Sequence, residues 1–115
     1  MAKYLSELDG LFHSLADGTR RSIVERLVRS PASVSEIAAP FDAALPTIVE
    51  HLRVLERAGI VTSEKVGRVR TYQLVADALV PANRWIVAQR RPQQQRLDRL
   101  GDYLADPPKQ PGEGT

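Results

Sequence analysis

Cysteine is absent from this sequence, and that absence closes several chemistries together. Disulfides, thiolate nucleophiles and every sulfur-ligated zinc, iron or copper site are excluded. Histidine is scarce too: His13 and His51 are the only two imidazoles. Two imidazoles without thiols make a poor metal set, so neither a metal nor a cofactor is expected. Aromatic residues are only 5% of the chain, so the core must be built from Leu, Val, Ile and Ala. No apolar run approaches the roughly 18 residues of a membrane span, and no membrane partner is expected. The first residues, MAKYLSELDG, lack the apolar core and small-residue cleavage site of a signal peptide. The cytoplasm is therefore the expected compartment. Nor is there a Gly-rich phosphate loop, a carboxylate cluster or a Ser/His/Asp set at usable spacing, so the chain does not read as an enzyme.

What is present is a 115-residue chain, enough for one domain with a modest core. Its net charge of +2 points only weakly toward nucleic acid. The distribution says more: residues 19–30 carry four Arg against one acid, and 84–99 carry five against one. Of the 16 basic residues 13 are Arg, whose planar fork suits bidentate phosphate contacts, although a GC-rich genome would also favour Arg codons.

The apolar spacing gives the order of elements. Leu5, Leu8, Phe12 and Leu15 predict an amphipathic first helix over Tyr4 to Ala16. Asp17-Gly18-Thr19 interrupts it and can cap a second helix, TRRSIVERLVRS, with Ile23, Val24, Leu27 and Val28 on one face. Ser33-Val34-Ser35-Glu36 is a capping-box pattern opening a short third helix, which Pro40 stops. ALPTIVEHLRVLERAGIV (44–61) predicts a fourth helix with Pro46 in its first turn, a core stripe of Ile48, Leu52 and Leu55, and Gly59 as its left-handed cap. IVTSEKVGRVRTYQLV then alternates on both sides of Gly67-Arg68, predicting a two-stranded hairpin with a basic tip. A last helix is expected over about 79–104, with Pro92 placed to kink or split it. The tail 105–115, ADPPKQPGEGT, is disordered by composition.

Short helices followed by a β-hairpin describe a winged helix-turn-helix: mainly α, ordered α-α-α-α-β-β-α, over residues 1–104. One helix props the next so that it protrudes into a major groove about 12 Å wide. The hairpin beside it reaches phosphates. Thr47, Val49, Glu50, His51 and Arg53 are the candidate reading residues of the fourth helix, and Lys65, Arg68 and Arg70 those of the wing. Arg20 and Ser33, at two helix N-termini, are candidate phosphate anchors.

The segments LADGTRRSIVERL (15–27), SVSEIA (33–38), LPTIVEHLRVLERAGIV (45–61) and VGRVRTYQL (66–74) together resemble the ArsR/SmtB-type family of bacterial transcriptional regulators. The resemblance implies sequence-specific binding to a double-stranded operator by a homodimer built from the first and last helices. Leu5, Leu8, Phe12, Trp85, Leu97, Leu100 and Leu104 are its candidate interface residues. The thiolate pair such a family uses to sense metals would fall within Ser35 to Ala39, where only Glu36 could ligate. On the dimer helix the carboxylates are Asp98 and Asp102, four apart, which read as a solvated pair. The alternative is a winged-helix interaction module, in which a protein partner or a small-molecule effector supplies the sensing that this chain lacks.

The acid in the reading head stands apart. Members similar to this chain show Ser and then a base or His before the His-Leu pair, where this sequence has Val49 and Glu50. Val49 can touch a thymine methyl and Glu50 can accept from cytosine N4. Glu50 can equally pair with Arg53 or Arg57 along its own helix. His51 either contacts a phosphate or packs beside the hairpin, and His13 reads as a structural histidine between core positions.

Overall fold

The computed structural model describes residues 2–90 and 92–105, and the side chains of these except 2–5 and 92–95. The chain forms two compact units that divide after Asn83. In chain order the elements are α1 (Ala2–Leu15), α2 (Gly18–Arg29), β1 (Ala32–Ser33), α3 (Val34–Ala38), α4 (Leu45–Arg57), β2 (Val61–Val66), β3 (Val69–Leu74), α5 (Val80–Ala88) and α6 (Pro92–Ala105).

The first unit is held by an aliphatic core. Ile23 and Leu27 of α2, Ile37 of α3, and Ile48, Leu52 and Leu55 of α4 are buried in one cluster with Ile60, Val61 and Tyr72. These are the positions that the 3.6-residue period selects, because burying them removes about 25 cal/mol of cost per Å² of apolar surface.

Helix ends follow local chemistry. The Asp17 carboxylate accepts from the Arg20 amide at 3.0 Å and caps α2. Ser33 and Glu36 close a reciprocal capping box on α3, at 3.3 and 3.0 Å. Helix α4 ends in a Schellman motif: Ile60 N–H donates to the Leu55 carbonyl and Gly59 N–H to that of Glu56, both at 3.0 Å. Gly59 takes a φ of 77° there, a value that costs L-residues about 1–2 kcal/mol.

Two carboxyls at these caps link the fold to pH. The Arg20 backbone N–H holds the Asp17 carboxyl below its ordinary range, with the charges of His51 and Arg20 helping against partial desolvation. The Ser33 backbone N–H and hydroxyl do the same for Glu36. A lowered folded-state pKa contributes stability above the ordinary carboxylate range, and that stability is lost as pH falls from there through the lowered value. Asp17→Asn keeps a competent cap but cannot titrate. Its thermal midpoint is expected to lie slightly below the parent's near neutral pH and to fall less steeply on acidification, so that the two converge. A parallel fall in both proteins would remove Asp17 from the acid response.

The structure adds a strand to the expected hairpin, splits the last helix where Pro92 stands, and extends that helix by one residue. The sheet has three strands, in the order β1-β3-β2, because Ala32 pairs with Tyr72 and Ser33 with Thr71. The expected last helix over 79–104 is two helices, α5 and α6. Pro92 opens α6, a position where its missing N–H and fixed φ do no harm, whereas mid-helix it would break the ladder. Ala105, expected in the tail, still belongs to α6, and residues 106–115 lie outside the described residues.

In the second unit the Arg90 guanidinium donates to the Asp98 carboxylate, joining the residues on either side of the break. Leu97, Leu100 and Leu104 are exposed along α6, Leu104 at 68%. Among the described residues, no helix is long and apolar enough to cross a membrane.

Candidate nucleic-acid interface

The reading helix and the wing come from adjacent sequence and face each other across a groove. In α4 the apolar positions 48, 52 and 55 point into the core, which leaves Thr47, Glu50, Arg53, Glu56 and Arg57 exposed and Val49 half-buried. In the wing, Val66 pairs with Val69, and Gly67 supplies a φ of 63° at the first position of the two-residue turn. Lys65 pairs with Arg70 and Ser63 with Tyr72, so period-two alternation puts all four on the face that carries the buried Val61 and Tyr72. Arg68 occupies the tip.

The result is an open groove of about 490 Å³, lined by Val34, Val49, Arg53, Glu56, Lys65, Arg68, Arg70 and Tyr72. Four cations face one carboxylate there. The wing is tied to the helix by side chains: Arg70 Nη1 donates to Ser63 Oγ at 2.9 Å, and Ser63 Oγ donates to Glu56 Oε2 at 3.1 Å. Burial, together with the Glu56 charge, pushes the Tyr72 phenol above its ordinary value, so it stays a neutral lining group.

Glu50 sits among cations. Its carboxylate oxygens lie 3.3 Å from Arg53 Nη1 and 3.4 Å from Arg57 Nη2. All three side chains are more than half exposed, so the pairs contribute about 0.5 kcal/mol or less to folding. Their effect is electrostatic: one carboxylate partly neutralises two arginines of the exposed face.

Three candidates are placed elsewhere. Arg20 directs its guanidinium inward, where Nε donates to the Ser14 carbonyl at 2.7 Å and Nη2 to that of His13 at 3.1 Å. It thereby satisfies carbonyls at the end of α1, with Arg21 doing the same for Leu15. Ser33 is engaged as the cap of α3. His51 is partly buried at the N-terminus of α2, with Nδ1 3.3 Å from Arg20 Nη1 and 3.9 Å from Asp17 Oδ2. The sequence reading missed the Arg20 and Arg21 brackets on α1, whose only signal was two arginines just past a helix end. It missed Ser63 and Glu56 as well, because nothing in the sequence marks a hydrogen bond between strand and helix.

Of the candidate dimer-interface residues, Leu8 is only 5% exposed and is covered within one chain. Phe12, Trp85, Leu97, Leu100 and Leu104 are exposed, and the Leu5 side chain lies outside the described residues. Asp98 is paired with Arg90. Among the described residues, no three His, Cys, Asp or Glu side chains converge as a metal site requires.

Helices α2, α3 and α4 packed on one core, with a basic hairpin beside α4, define a winged helix-turn-helix domain. The helix-turn-helix domain family matches residues 15–64. The HTH-type transcriptional regulator Rv2034 of Mycobacterium tuberculosis is 43% identical over 74 residues, 64% of this chain and 68% of that protein. The crystal structure of an ArsR family transcriptional regulator superposes with a TM-score of 0.71 at 41% identity, covering 86% of this chain and 97% of the other. A homodimeric winged helix-turn-helix DNA-binding domain of Mycobacterium bovis, solved by NMR, gives a TM-score of 0.64 at 26% identity, with 76% and 82% of the two chains covered. The chain belongs to the ArsR family of transcriptional regulators, DNA-binding proteins rather than enzymes.

Proposed function

We propose that this protein acts as a homodimer on a specific operator, with α4 in the major groove and the wing on the flanking phosphates. The observation that carries the reading is the groove between α4 and the wing, in which Arg53, Lys65, Arg68 and Arg70 outnumber the single carboxylate of Glu56. Such a surface attracts a polyanion and releases its counterions. Thr47, Val49, Glu50 and Arg53 reach base edges, while Lys65, Arg68 and Arg70 position the backbone. Arg20 and Ser33 serve the fold instead, and His51 steadies α4 against α2. Residues 1–104 act as one DNA-binding and dimerising module.

The homodimeric M. bovis relative supports the dimer, as does the exposed stripe Leu97, Leu100 and Leu104 along α6. That stripe also favours the second reading, in which a protein partner docks there and supplies regulation. The cysteine-free sequence supports regulation without a thiolate metal site.

The deciding experiment titrates metal-free protein against its own upstream DNA and a scrambled duplex at two salt concentrations. Tight, sequence-dependent binding by a dimer is expected. Equal, weak binding to both duplexes would favour the partner-dependent reading. Adding stoichiometric zinc is expected to leave operator affinity unchanged within twofold, and a reproducible larger shift would reveal a metal site.

A further inference from the structure

The Arg70 guanidinium is held at the rim of the groove by a directed chain of hydrogen bonds. Arginine has only donors and an ionised carboxylate only acceptors. The Ser63 hydroxyl between them therefore accepts from Arg70 Nη1 and gives its single proton to Glu56 Oε2. The chain joins three elements: Arg70 lies on β3, Ser63 on β2 and Glu56 in the last turn of α4. Ser63 stands opposite Tyr72, so Arg70 is its diagonal neighbour two residues along the same face.

A carboxylate is an odd lining for a groove that is to hold phosphates, since it repels them. Its place at the end of this chain explains its presence. We propose that Ser63 and Glu56 are positioning residues for DNA recognition, which aim Arg70 across the groove and fix the wing against the reading helix. The proposal rests on the wing contacting DNA as described above. Restraining Arg70 before DNA arrives reduces the side-chain freedom that contact would otherwise remove. Ser63 thus acts on affinity without touching the duplex.

The test uses the full chain and two readouts, one of which needs no DNA. The first is the NMR order parameter of the Arg70 Nε–H group in the unliganded protein. Ser63→Ala is expected to lower it toward that of the tip residue Arg68, and Ser63→Thr, which restores a hydroxyl, to return it. The second is affinity for the duplex: Ser63→Ala is expected to weaken it about fivefold and Ser63→Thr less than twofold. Glu56→Ala and Glu56→Gln remove the same charge, but only Gln keeps an acceptor, so Arg70 should be ordered in Gln and mobile in Ala. Unchanged Arg70 order in both Ser63→Ala and Glu56→Ala would overturn the proposal. So would wild-type affinity in Arg70→Ala. Should the parent protein fail to bind any duplex, the DNA reading falls, whereas the order parameters still decide whether the chain holds Arg70.

Discussion

Arg68→Ala combined with Arg70→Ala is expected to weaken binding to every duplex by about 100-fold per protomer, operator and scrambled DNA alike. Each arginine stands to make a charge-assisted contact to phosphate, worth about 1.5 kcal/mol or a factor of roughly ten. Phosphates carry no sequence information, so the loss should be uniform and the ratio of specific to non-specific affinity preserved. The dependence of log affinity on log salt should flatten by about 1.8 per protomer, from about 0.9 for each phosphate contact. The parent fold should persist, because Arg68 is exposed at a turn and Arg70 lies at the groove rim. Unchanged affinity with an intact fold would take the wing out of the interface. A loss confined to the operator would mean that the wing reads bases.

Glu50→Lys is expected to act in the opposite direction. The parent carboxylate holds Arg53 and Arg57 at 3.3 and 3.4 Å. Replacing it releases both arginines and adds a cation on the same exposed face, a change of two charge units per protomer. Non-specific affinity should rise about tenfold, and the salt slope should steepen by about 1 per protomer. Discrimination between operator and scrambled DNA should fall, because a cation favours any duplex, whereas a carboxylate accepts only where cytosine N4 donates. Glu50→Gln separates the two effects: it releases the arginines and keeps an acceptor oxygen. An identical salt slope in parent and Glu50→Lys would show that residue 50 faces away from the duplex.

Glu50 illustrates how far the sequence could be read. Spacing along one helix was enough to name Arg53 and Arg57 as its partners, since residues three and seven apart lie near one face. The structure shows both contacts together, which the sequence left as alternatives. Arg20 shows the converse. A base at a helix N-terminus reads as a phosphate anchor, yet its guanidinium turns back to α1 and serves the carbonyls of His13 and Ser14. Which way a long side chain turns depends on the nearest unsatisfied acceptor, and that acceptor is supplied by a neighbouring helix. The two-residue β1 was invisible for a related reason. Ala32 and Ser33 have no strand pattern of their own and pair only because β3 is brought beside them.

The sequence by itself determined the helix phases, the caps and the hairpin. These depend on residues within a few positions of one another: Asp17 on the Arg20 amide, the Ser33–Glu36 box, Gly59 at the end of α4, Gly67 at the turn. The absence of cysteine was likewise final without a structure. Tertiary structure alone decided that Leu8 is covered, that His51 meets the N-terminus of α2, and that Ser63 links Arg70 to Glu56. Such contacts join residues distant in the chain, and their geometry is set by how the core packs the helices, which no local pattern encodes.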